Sequence, residues 1–452
     1  MPLVDGPDMR PMLRQIYADT MARISVSDRF EQSIRRDGTL LHLADLTYDL
    51  AKFRRIIVLA IGKAALPSIA VAVRRIRSAG VVGDRLQALA VGPGDPSPLP
   101  EDIEVIDGGH PIPNQQSRAA ARRAIELLSG LGADDLVLFL ISGGSSAMME
   151  LPVDGSITIE ETAGFHRALV HSGLGIADMN ALRKHFSAVK GGRLAALAGQ
   201  ATQCTLLISD VPASDVPADR LHIIGSGPSL PDPTTRDDCR RLMQQVNMPT
   251  RVREYFESTA LLETPKPDDD CFRKAQWRCL LSSETMLQIA AELCTAQGFH
   301  TIIDNTCDDW DYRRAADYLL DRLRALTTQH KHVCLLSAGE LSVKIEAPAG
   351  IGGRNQQFAL YCATQLRASE AALSAGSDGI DGNSPAAGAV VDASTIQRAE
   401  SLGLSALASL EAFDSFPFFE QLGDAILSGP AGNNVRDLRI LCGTGGLLDS
   451  QG

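Results

Sequence analysis

The chain has 452 residues, a length that predicts two domains because single hydrophobic cores rarely extend beyond roughly 250–300 residues. Its 43 basic and 55 acidic side chains give a formal net charge of −12, which argues against general binding of nucleic acid or anionic membranes. No apolar run approaches the ~20 residues of a membrane span, and the N-terminus carries Asp5, Asp8 and Arg10 where a signal peptide is apolar. Nine cysteines without C-x-x-C spacing indicate reduced thiols, so we expect a cytoplasmic protein.

Apolar runs alternate with helical stretches along the first half of the chain. After an N-terminal helical segment at roughly 9–50, a strand is predicted at 55–61, with a helix from Ala64. The amphipathic stretch "SRAAARRAIELLSGL" then leads into a strand at 135–141, and further strands are predicted in "QALAVGPG", "IEVIDGGHPIP" and "TQCTLLISDVP". This alternation favours a parallel sheet with helices on both faces, in which ligands bind at the carboxyl ends of the strands.

The alternation lapses in the middle of the chain and then resumes. The stretch "ETPKPDDD" cannot continue a helix or a central strand, so we place a linker at about 256–275. Strands in "WRCLLSS", "HTIIDNT" and "HVCLLSAGELSVKIE" alternate with two helices after it. The prediction is therefore an α/β protein with an N-terminal domain at 1–255 and a second α/β domain at 276–452.

Two loops of the N-terminal domain are candidates to bind an anion. The strand at 135–141 runs into Ser142-Gly143-Gly144-Ser145-Ser146, where backbone N–H groups at a helix start and three hydroxyl groups would suit a phosphate or a carboxylate. Lys63 follows Gly62 after the strand at 55–61, so its ammonium should lie at the same sheet edge. A glycine turn and a solvated lysine are the ordinary alternatives. Neither loop is a P-loop, because G-x-x-x-x-G-K-[ST] does not occur.

The stretch "DMNALRKHFSAVKGGRLA", residues 178–195, concentrates positive charge in an acidic chain. Asn180 is predicted to cap a helix that ends at Gly191-Gly192, which places Arg183 and Lys190 two turns apart on one face. Five cationic or potentially cationic side chains lie within eleven residues: Arg183, Lys184, His185, Lys190 and Arg193. A solvated basic face is the ordinary interpretation, but an acidic protein that receives an anion needs such a local reversal of charge.

Acidic residues near the ends of predicted strands are candidates to bind a metal ion or to accept a proton. Asp210 ends the strand in "TLLISD", Glu340 ends "LLSAGE", and Asp378 and Asp381 lie in the glycine loop "SDGIDG". Turn and cap roles are the alternatives. An EF-hand is rejected, because its twelve-residue ligand pattern and closing glutamate are absent.

A second glycine loop, "GIGGRNQQ", lies in the predicted C-terminal domain. It presents Arg354 and Asn355 at the start of a helix. Arginine is always charged and makes forked contacts to phosphate, and the two glycines let the backbone and the guanidinium approach one ligand. This loop is therefore a further candidate contact to phosphate.

These stretches resemble the glycerate 2-kinases that carry a MOFRL domain, which were formerly labelled hydroxypyruvate reductases. The matching stretches lie in family order between residues 62 and 441, and they include "GKAA", "GGHPIPN", "LISGGSSA", "NALRKHFSAVKGGRLA", "GSGPSLPDPTT", "SAGELSV", "GGRNQQFAL" and "GSDGIDG". The resemblance implies ATP-dependent phosphorylation of D-glycerate at its 2-hydroxyl to give 2-phosphoglycerate, with Mg²⁺ as cofactor.

The resemblance also implies a larger Rossmann-like N-terminal domain with a mainly parallel sheet, a smaller C-terminal MOFRL domain, and an active site in the cleft between them. The family's catalytic lysine and arginine match Lys63 and Arg354. The implied substrate and phosphate contacts are Ser142, Gly143, Gly144, Ser145, Ser146, His110, Asn180, Arg183, Lys190 and Asn355. The candidates for metal ligand or proton acceptor are Asp210, Glu340, Asp378 and Asp381.

Four positions depart from the family pattern. Ser145 replaces a glycine, Ala338 replaces a glycine, Asn114 replaces an aspartate and Gln357 replaces a glutamate. The departures at Ser145 and Gln357 favour one alternative, a non-catalytic sensor that binds a sugar acid and ATP. A second alternative, a hydroxypyruvate reductase, would need a G-x-G-x-x-G fingerprint after a strand, and none occurs. The expected partners are small-molecule substrates, with neither nucleic acid nor membrane, and a homodimer is one option for the assembly.

Overall fold

The structure is a computed structural model that describes residues 8–94, 99–100, 102–209, 221–345, 349–429 and 435–445. The strands of the described chain are β1 (Ile34–Asp37), β2 (Leu40–Leu43), β3 (Leu46–Asp49), β4 (Arg55–Ile61), β5 (Leu86–Val91), β6 (Ile103–Ile106), β7 (Asp135–Ile141), β8 (Thr202–Ile208), β9 (Ala275–Leu281), β10 (His300–Ile303), β11 (His332–Gly339), β12 (Glu370–Gly376), β13 (Gly388–Asp392), β14 (Ala425–Ile426) and β15 (Asp437–Thr444). Its α-helices are α1 (Arg10–Arg23), α2 (Val26–Ser33), α3 (Ala65–Ser78), α4 (Gln115–Leu128), α5 (Ser145–Met148), α6 (Ile159–Val170), α7 (Ile176–Phe186), α8 (Arg193–Ala198), α9 (Arg236–Leu242), α10 (Thr250–Glu257), α11 (Ser283–Ala296), α12 (Tyr312–Thr327), α13 (Arg354–Ala363), α14 (Thr395–Ser401), α15 (Ala406–Glu411) and α16 (Ser415–Leu422).

The first large sheet has the strand order β6-β5-β4-β7-β8-β9. The pairs β6–β5, β5–β4, β4–β7 and β7–β8 are all parallel, which confirms the predicted parallel sheet. The residues of β7 are all buried, as expected for a strand covered by helices on both faces. Ile61 pairs with Ile141 on one side and with Val91 on the other, so three neighbouring strands end in register at one edge. The loops that follow β4 and β7 therefore start side by side.

The second large sheet is mixed and has the strand order β10-β11-β15-β12-β13-β14. Only the β10–β11 pair is parallel among its described pairings, and β15 runs antiparallel to both β11 and β12. Helices α12, α13 and α16 contribute Leu319, Phe358 and Phe419 to a core that also contains Leu441 of β15. The carboxyl ends of β11 and β12 thus flank the first residue of β15, Asp437.

The described chain divides into two compact units. The N-terminal unit holds the described residues of 26–280 and carries β1 to β9, and the C-terminal unit holds the described residues from 281 onward together with helix α1. Strand β9 is the edge strand of the first sheet, although its residues follow the linker in the predicted domain plan. Helix α1 packs against α11 and β12. In the described residues, no helix combines the length and apolarity that crossing a membrane requires.

The predicted helical segment at 9–50 is helical only in its first part. Helix α2 ends at Ser33, and β1, β2 and β3 then form an antiparallel meander. The helix prediction for 34–49 is wrong, because Asp37-Gly38 forms a hairpin turn in which Gly38 has a φ of +56°. An Asp-Gly pair between short alternating runs is a recognised hairpin signal.

Candidate active site

Hydrogen bonds join the loop after β4 to residues 142–146, which we call the serine loop. The N–H of Lys63 donates to the carbonyl of Gly143 at 2.9 Å, and the N–H of Ala64 donates to Ser142 Oγ at 3.0 Å. Gly62 has a φ of +116°, and a Cβ there would lie 2.5 Å from the carbonyl oxygen of Ser142, so this position requires glycine. The backbone of Lys63 is therefore fixed against the serine loop, while the residue itself is exposed.

His110 lies against the same loop. A Cβ placed on Gly144 would lie 3.0 Å from the His110 ring. Burial lowers the pKa of His110, and the nearby ammonium of Lys63 lowers it further, so the neutral imidazole is favoured. Asn114 caps helix α4 through its side chain. Asparagine and the family's aspartate are both good N-cap residues, so the substitution preserves the cap.

The hydroxyl groups of the serine loop differ in their surroundings. Ser142 is buried and accepts from the backbone of the neighbouring loop, as described above. The Oγ of Ser145 is buried and has no hydrogen-bond partner in the described part of the chain. Ser146 is partly exposed. The serine at position 145 thus adds a polar atom to the loop where the family pattern has none.

A chain of hydrogen bonds links the serine loop to helix α7. Ser146 Oγ donates to Ser226 Oγ at 2.9 Å, and Ser226 Oγ donates to Asn180 Oδ1 at 3.0 Å. Arg183 Nη1 donates to the same oxygen at 3.3 Å, whereas its buried Nε has no partner among the described residues. Arg183 also forms no ion pair within that part of the chain. Burial lowers the pKa of Arg183, and the charge of Glu150 opposes this effect without forming an ion pair, so an anionic ligand would stabilise the guanidinium further.

Helix α7 begins and ends earlier than predicted. It starts at Ile176 with Gly175 as its N-cap, so Asn180 lies inside the helix and the prediction that it caps the helix is wrong. It stops at Phe186, because Ser187 is extended and forms a β-bridge with Pro152. Lys190 therefore lies beyond the helix. The prediction that Arg183 and Lys190 share one helical face is wrong.

Two lysines of the basic stretch are engaged inside the protein. The ammonium of Lys190 lies 2.5 Å from Glu150 Oε2, which is also 3.0 Å from His166 Nε2, and all three residues are buried. The ammonium of Lys184 lies 3.0 Å from Asp232 Oδ1. Charges removed from water need such partners, so much of the predicted charge reversal neutralises buried carboxylates. Lys190 is accordingly a core residue in this structure.

The buried cluster of Glu150, Lys190 and His166 predicts that stability falls in acid. Burial raises the pKa of Glu150, but the Lys190 ammonium and the His166 hydrogen bond outweigh it and bring the pKa to about 2. Burial lowers the pKa of His166 to about 4. Both values lie below the ordinary 4.5 and 6.5, so the unfolded chain binds more protons as the pH falls. The stability that Glu150 and His166 contribute is therefore fully present above about pH 6.5 and is lost progressively from there towards pH 2.

Urea unfolding at pH 7, 5.5 and 4 measures this dependence. Between pH 7 and 4 the wild type is expected to lose more free energy of unfolding than a His166→Gln variant, because glutamine does not titrate. The comparison removes the contributions of other groups, such as Asp381, whose raised pKa acts in the opposite direction. Equal losses in the two proteins would contradict the assignment.

Arg354, the first residue of α13, makes a forked contact with Asp437. Its Nε lies 2.6 Å from Asp437 Oδ2 and its Nη2 lies 3.0 Å from Oδ1, while Nη2 also lies 3.2 Å from Glu340 Oε1. Burial alone would lower the pKa of Arg354, but the bond to Asp437 outweighs burial and raises the pKa above its ordinary value. The side chain keeps 36% of its surface exposed, so the guanidinium is both oriented and accessible to a ligand.

Asp381 holds the start of the helix that carries Arg354. Its carboxylate accepts hydrogen bonds from the backbone N–H groups of Asn355, at 3.0 Å, and Gln356, at 2.8 Å. It also accepts hydrogen bonds from the side-chain amides of the same two residues. Burial raises the pKa of Asp381 to about 6, against the effect of these bonds. The Asn355 side chain is buried and accepts a hydrogen bond from Ser374 at 2.6 Å. Asp381 and Asn355 thus position α13 in this structure.

Glu340 and Asp378 are accessible carboxylates of this region. The Glu340 side chain is 41% exposed, and partial burial raises its pKa even though Arg354 acts in the opposite direction. Asp378 is exposed, and Asp210 lies outside the described residues. Among the described residues, no group of three or more acidic, histidine or cysteine side chains could hold a metal ion. Mg²⁺ commonly uses one or two carboxylates together with phosphates, so Glu340 and Asp378 fit an ion held mainly by a nucleotide.

Four charged residues of this region were not predicted from the sequence. Asp437 and Arg439 lie on β15, and Arg439 is fully buried and donates to the carbonyl of Gly339 at 3.1 Å. Arg436 Nη1 lies 2.6 Å from Asp308 Oδ2. The available signal was "VRDLRIL", in which charged residues interrupt an otherwise apolar strand.

Two family models match the chain. Residues 12–258 match the family model described as a domain of unknown function, DUF4147, and residues 333–437 match the MOFRL family. A D-glycerate 2-kinase of Thermotoga maritima is 34% identical over 85% of this chain and 90% of its own length. An Agrobacterium vitis protein with the provisional name hydroxypyruvate reductase is 35% identical over 75% of this chain and 77% of its own length.

A solved structure gives the same result at the level of the fold. The crystal structure of a glycerate kinase from Thermotoga maritima matches with a TM-score of 0.79 and 29% identity, over 96% of this chain and 99% of that one. These matches confirm the resemblance seen in the sequence motifs. The chain belongs to the glycerate 2-kinase family, with an N-terminal DUF4147 region and a C-terminal MOFRL domain.

Proposed function

We propose that this protein is an ATP-dependent kinase that phosphorylates the 2-hydroxyl of D-glycerate to give 2-phosphoglycerate. The observation that carries the proposal is its 34% identity, over 85% of the chain, to a D-glycerate 2-kinase. Two further features support it: each compact unit has an accessible cation, Lys63 beside the serine loop and Arg354 at the start of α13.

The serine loop and Arg183 are the proposed contacts to the glycerate carboxylate. The N–H groups of Gly143 and Gly144 donate to no residue in the described part of the chain, and Arg183 forms no ion pair there, although the charge of Glu150 acts on it. A guanidinium offers a carboxylate two parallel N–H donors. Neutral His110 beside Gly144 could bond to a substrate hydroxyl without adding charge.

Lys63 and Arg354 are the proposed catalytic pair. In the reaction, O2 of glycerate forms a bond to the γ-phosphorus while the bond from that phosphorus to the β,γ-bridging oxygen breaks, and the hydroxyl proton passes to a base. Both cations would neutralise negative charge on the phosphoryl oxygens during transfer. Asp437 holds the Arg354 guanidinium in one orientation for this role.

Magnesium would be held by the exposed carboxylates Glu340 and Asp378, and when bound it would neutralise charge on the phosphates of ATP. Proton acceptor is an alternative role for Glu340, open to it only when it does not hold the magnesium ion, because its raised pKa then makes it a stronger base than an ordinary carboxylate. Asp210 keeps its predicted role as a metal ligand or proton acceptor. The oxygens of Asp381 already accept four hydrogen bonds, so it is assigned to positioning.

The test is a coupled assay of ADP release with D-glycerate, L-glycerate, tartronate and glycolate. D-Glycerate is expected to give the highest kcat/KM of the four. Binding of D-glycerate and ATP without ADP release would contradict the proposal and identify a sensor. Oxidation of NADH with hydroxypyruvate would instead identify a reductase.

Arg183→Ala is expected to raise the KM for D-glycerate at least tenfold while changing the KM for ATP little. A hydrogen bond between charged groups contributes about 1.5–3 kcal/mol, which corresponds to at least that factor. Steady-state kinetics with each substrate varied in turn measures both constants. Arg122→Ala, at an exposed position of α4, is the matched control. Equal increases in both KM values would contradict the assignment of Arg183 to the carboxylate.

A further inference from the structure

A cavity of about 430 Å³ lies beside Arg354 within the C-terminal unit. Its volume falls in the range of small-molecule sites, ~300–1,000 Å³. Leu341, Val343 and Phe413 give it apolar walls, and Gly352 lies on the side of the α13 start. The proposed reaction uses only Arg354 of these residues, so the remainder of the cavity has no assigned role.

Two further lining residues, Gln357 and Ser415, carry buried polar atoms without partners. Each residue is 1% exposed. Gln357 Nε2 donates to the carbonyl of Leu410 at 2.8 Å, which leaves Oε1 as an unused acceptor, and Ser415 Oγ has no partner among the described residues. Buried polar groups are normally hydrogen-bonded. The wall of the cavity therefore contains one acceptor and one hydroxyl without partners among the described residues.

We propose that this cavity binds the adenine base of the nucleotide, an inference that rests on the kinase function proposed above. The adenine amino group would donate to Gln357 Oε1, and a ring nitrogen beside it would accept from the Ser415 hydroxyl. The apolar walls suit the faces of a flat aromatic base. Arg354 at the side of the cavity suits the phosphate end of the same molecule.

The same groups select adenine against a 6-oxo purine. Hypoxanthine and guanine carry a carbonyl oxygen at position 6 and an N–H at position 1. In the proposed site the carbonyl oxygen would face Gln357 Oε1, and two acceptors cannot form a hydrogen bond. The amide cannot turn to serve them without losing the bond from Nε2 to Leu410. A site that leaves buried polar groups unpaired discriminates strongly against that ligand.

The departure of Gln357 from the family's glutamate fits this role. Either side chain supplies an acceptor oxygen, but only glutamine also donates to Leu410. Glutamine therefore keeps the acceptor for the base without burying a negative charge.

The test is calorimetric binding of ADP and of IDP to the full-length protein, without acceptor and with magnesium in the buffer. ADP is expected to bind at least tenfold more tightly than IDP. Ser415→Ala and Gln357→Leu should each weaken ADP binding about threefold to tenfold and narrow the preference over IDP. Gln365→Leu, a half-buried glutamine of the same unit that bonds to Asp317, is the control and should change neither affinity.

The variants also separate loss of the site from loss of the fold. Ser415→Ala removes a hydroxyl without a partner, so its thermal unfolding midpoint should match that of the wild type. Equal wild-type affinities for ADP and IDP, or an unchanged ADP affinity in both variants, would overturn the assignment of the cavity. If ADP is preferred but no glycerate is phosphorylated, the cavity assignment stands and the kinase proposal fails.

Discussion

Arg354→Ala is expected to lower the kcat for D-glycerate phosphorylation about 10³-fold or more, the effect of removing a cation that stabilises a transferring phosphoryl group. The guanidinium is held by a forked contact to Asp437 and still keeps 36% of its side-chain surface exposed. An arginine held in this way can contact phosphate without reorganising, which is the condition for a large electrostatic contribution. Steady-state kinetics at saturating ATP and D-glycerate measures the loss.

Two further variants distinguish charge from orientation at this position. Arg354→Lys keeps the charge but loses the forked contact, so its kcat should lie between those of the wild type and Arg354→Ala. Arg367→Ala changes an exposed arginine of the same unit and should leave kcat unchanged. A near-normal kcat for a folded Arg354→Ala variant would refute the catalytic assignment.

Lys63→Ala should lower kcat by a similar factor, about 10³-fold, while leaving stability unchanged. Lys63 is exposed, and its contact with Gly143 uses the backbone N–H, which alanine retains. The loss should therefore appear in kcat and not in the free energy of unfolding by urea. Lys52→Ala, at another exposed lysine of the N-terminal unit, is the control.

A second measurement on this variant is independent of catalysis. The Lys63 ammonium contributes to the lowered pKa of His110, so the pKa of His110 should rise in Lys63→Ala. NMR titration of the His110 ring measures this change. An unchanged His110 pKa together with an unchanged kcat would place the Lys63 side chain away from the serine loop.

The sheet edge of the N-terminal unit could be predicted from the sequence because its signals are local. Strands β4 and β7 are seven-residue runs made almost entirely of apolar residues, and Gly62 and Ser142 follow them directly. Parallel strands bring their carboxyl ends to one edge, so Lys63 and the serine loop could be placed at the same edge. The direct pairing of β4 with β7 is shown only by the structure, because β5 and β6 lie between them in the chain. The hydrogen bond from Lys63 N–H to Gly143 is consistent with that prediction.

The parts of the site that could not be predicted depend on contacts between residues that are distant in the chain. From the sequence, Lys190 is predicted to be a solvated cation. In the structure it contacts Glu150, which lies 40 positions earlier in the chain. Asp437, which orients Arg354, is 83 residues away from it. The sequence shows neither pairing, because hydrophobic periodicity reports which face is buried and does not report which charges meet there.

Phosphoryl transfer from ATP to the 2-hydroxyl of D-glycerate is tested most directly by ³¹P and ¹³C NMR of the products formed by the purified protein. The wild type is expected to give ADP and 2-phosphoglycerate in equal amounts, with Lys63→Ala and Arg354→Ala giving neither above background in the same time. A phosphate on carbon 3, or ADP without phosphorylated glycerate, would contradict the proposed reaction.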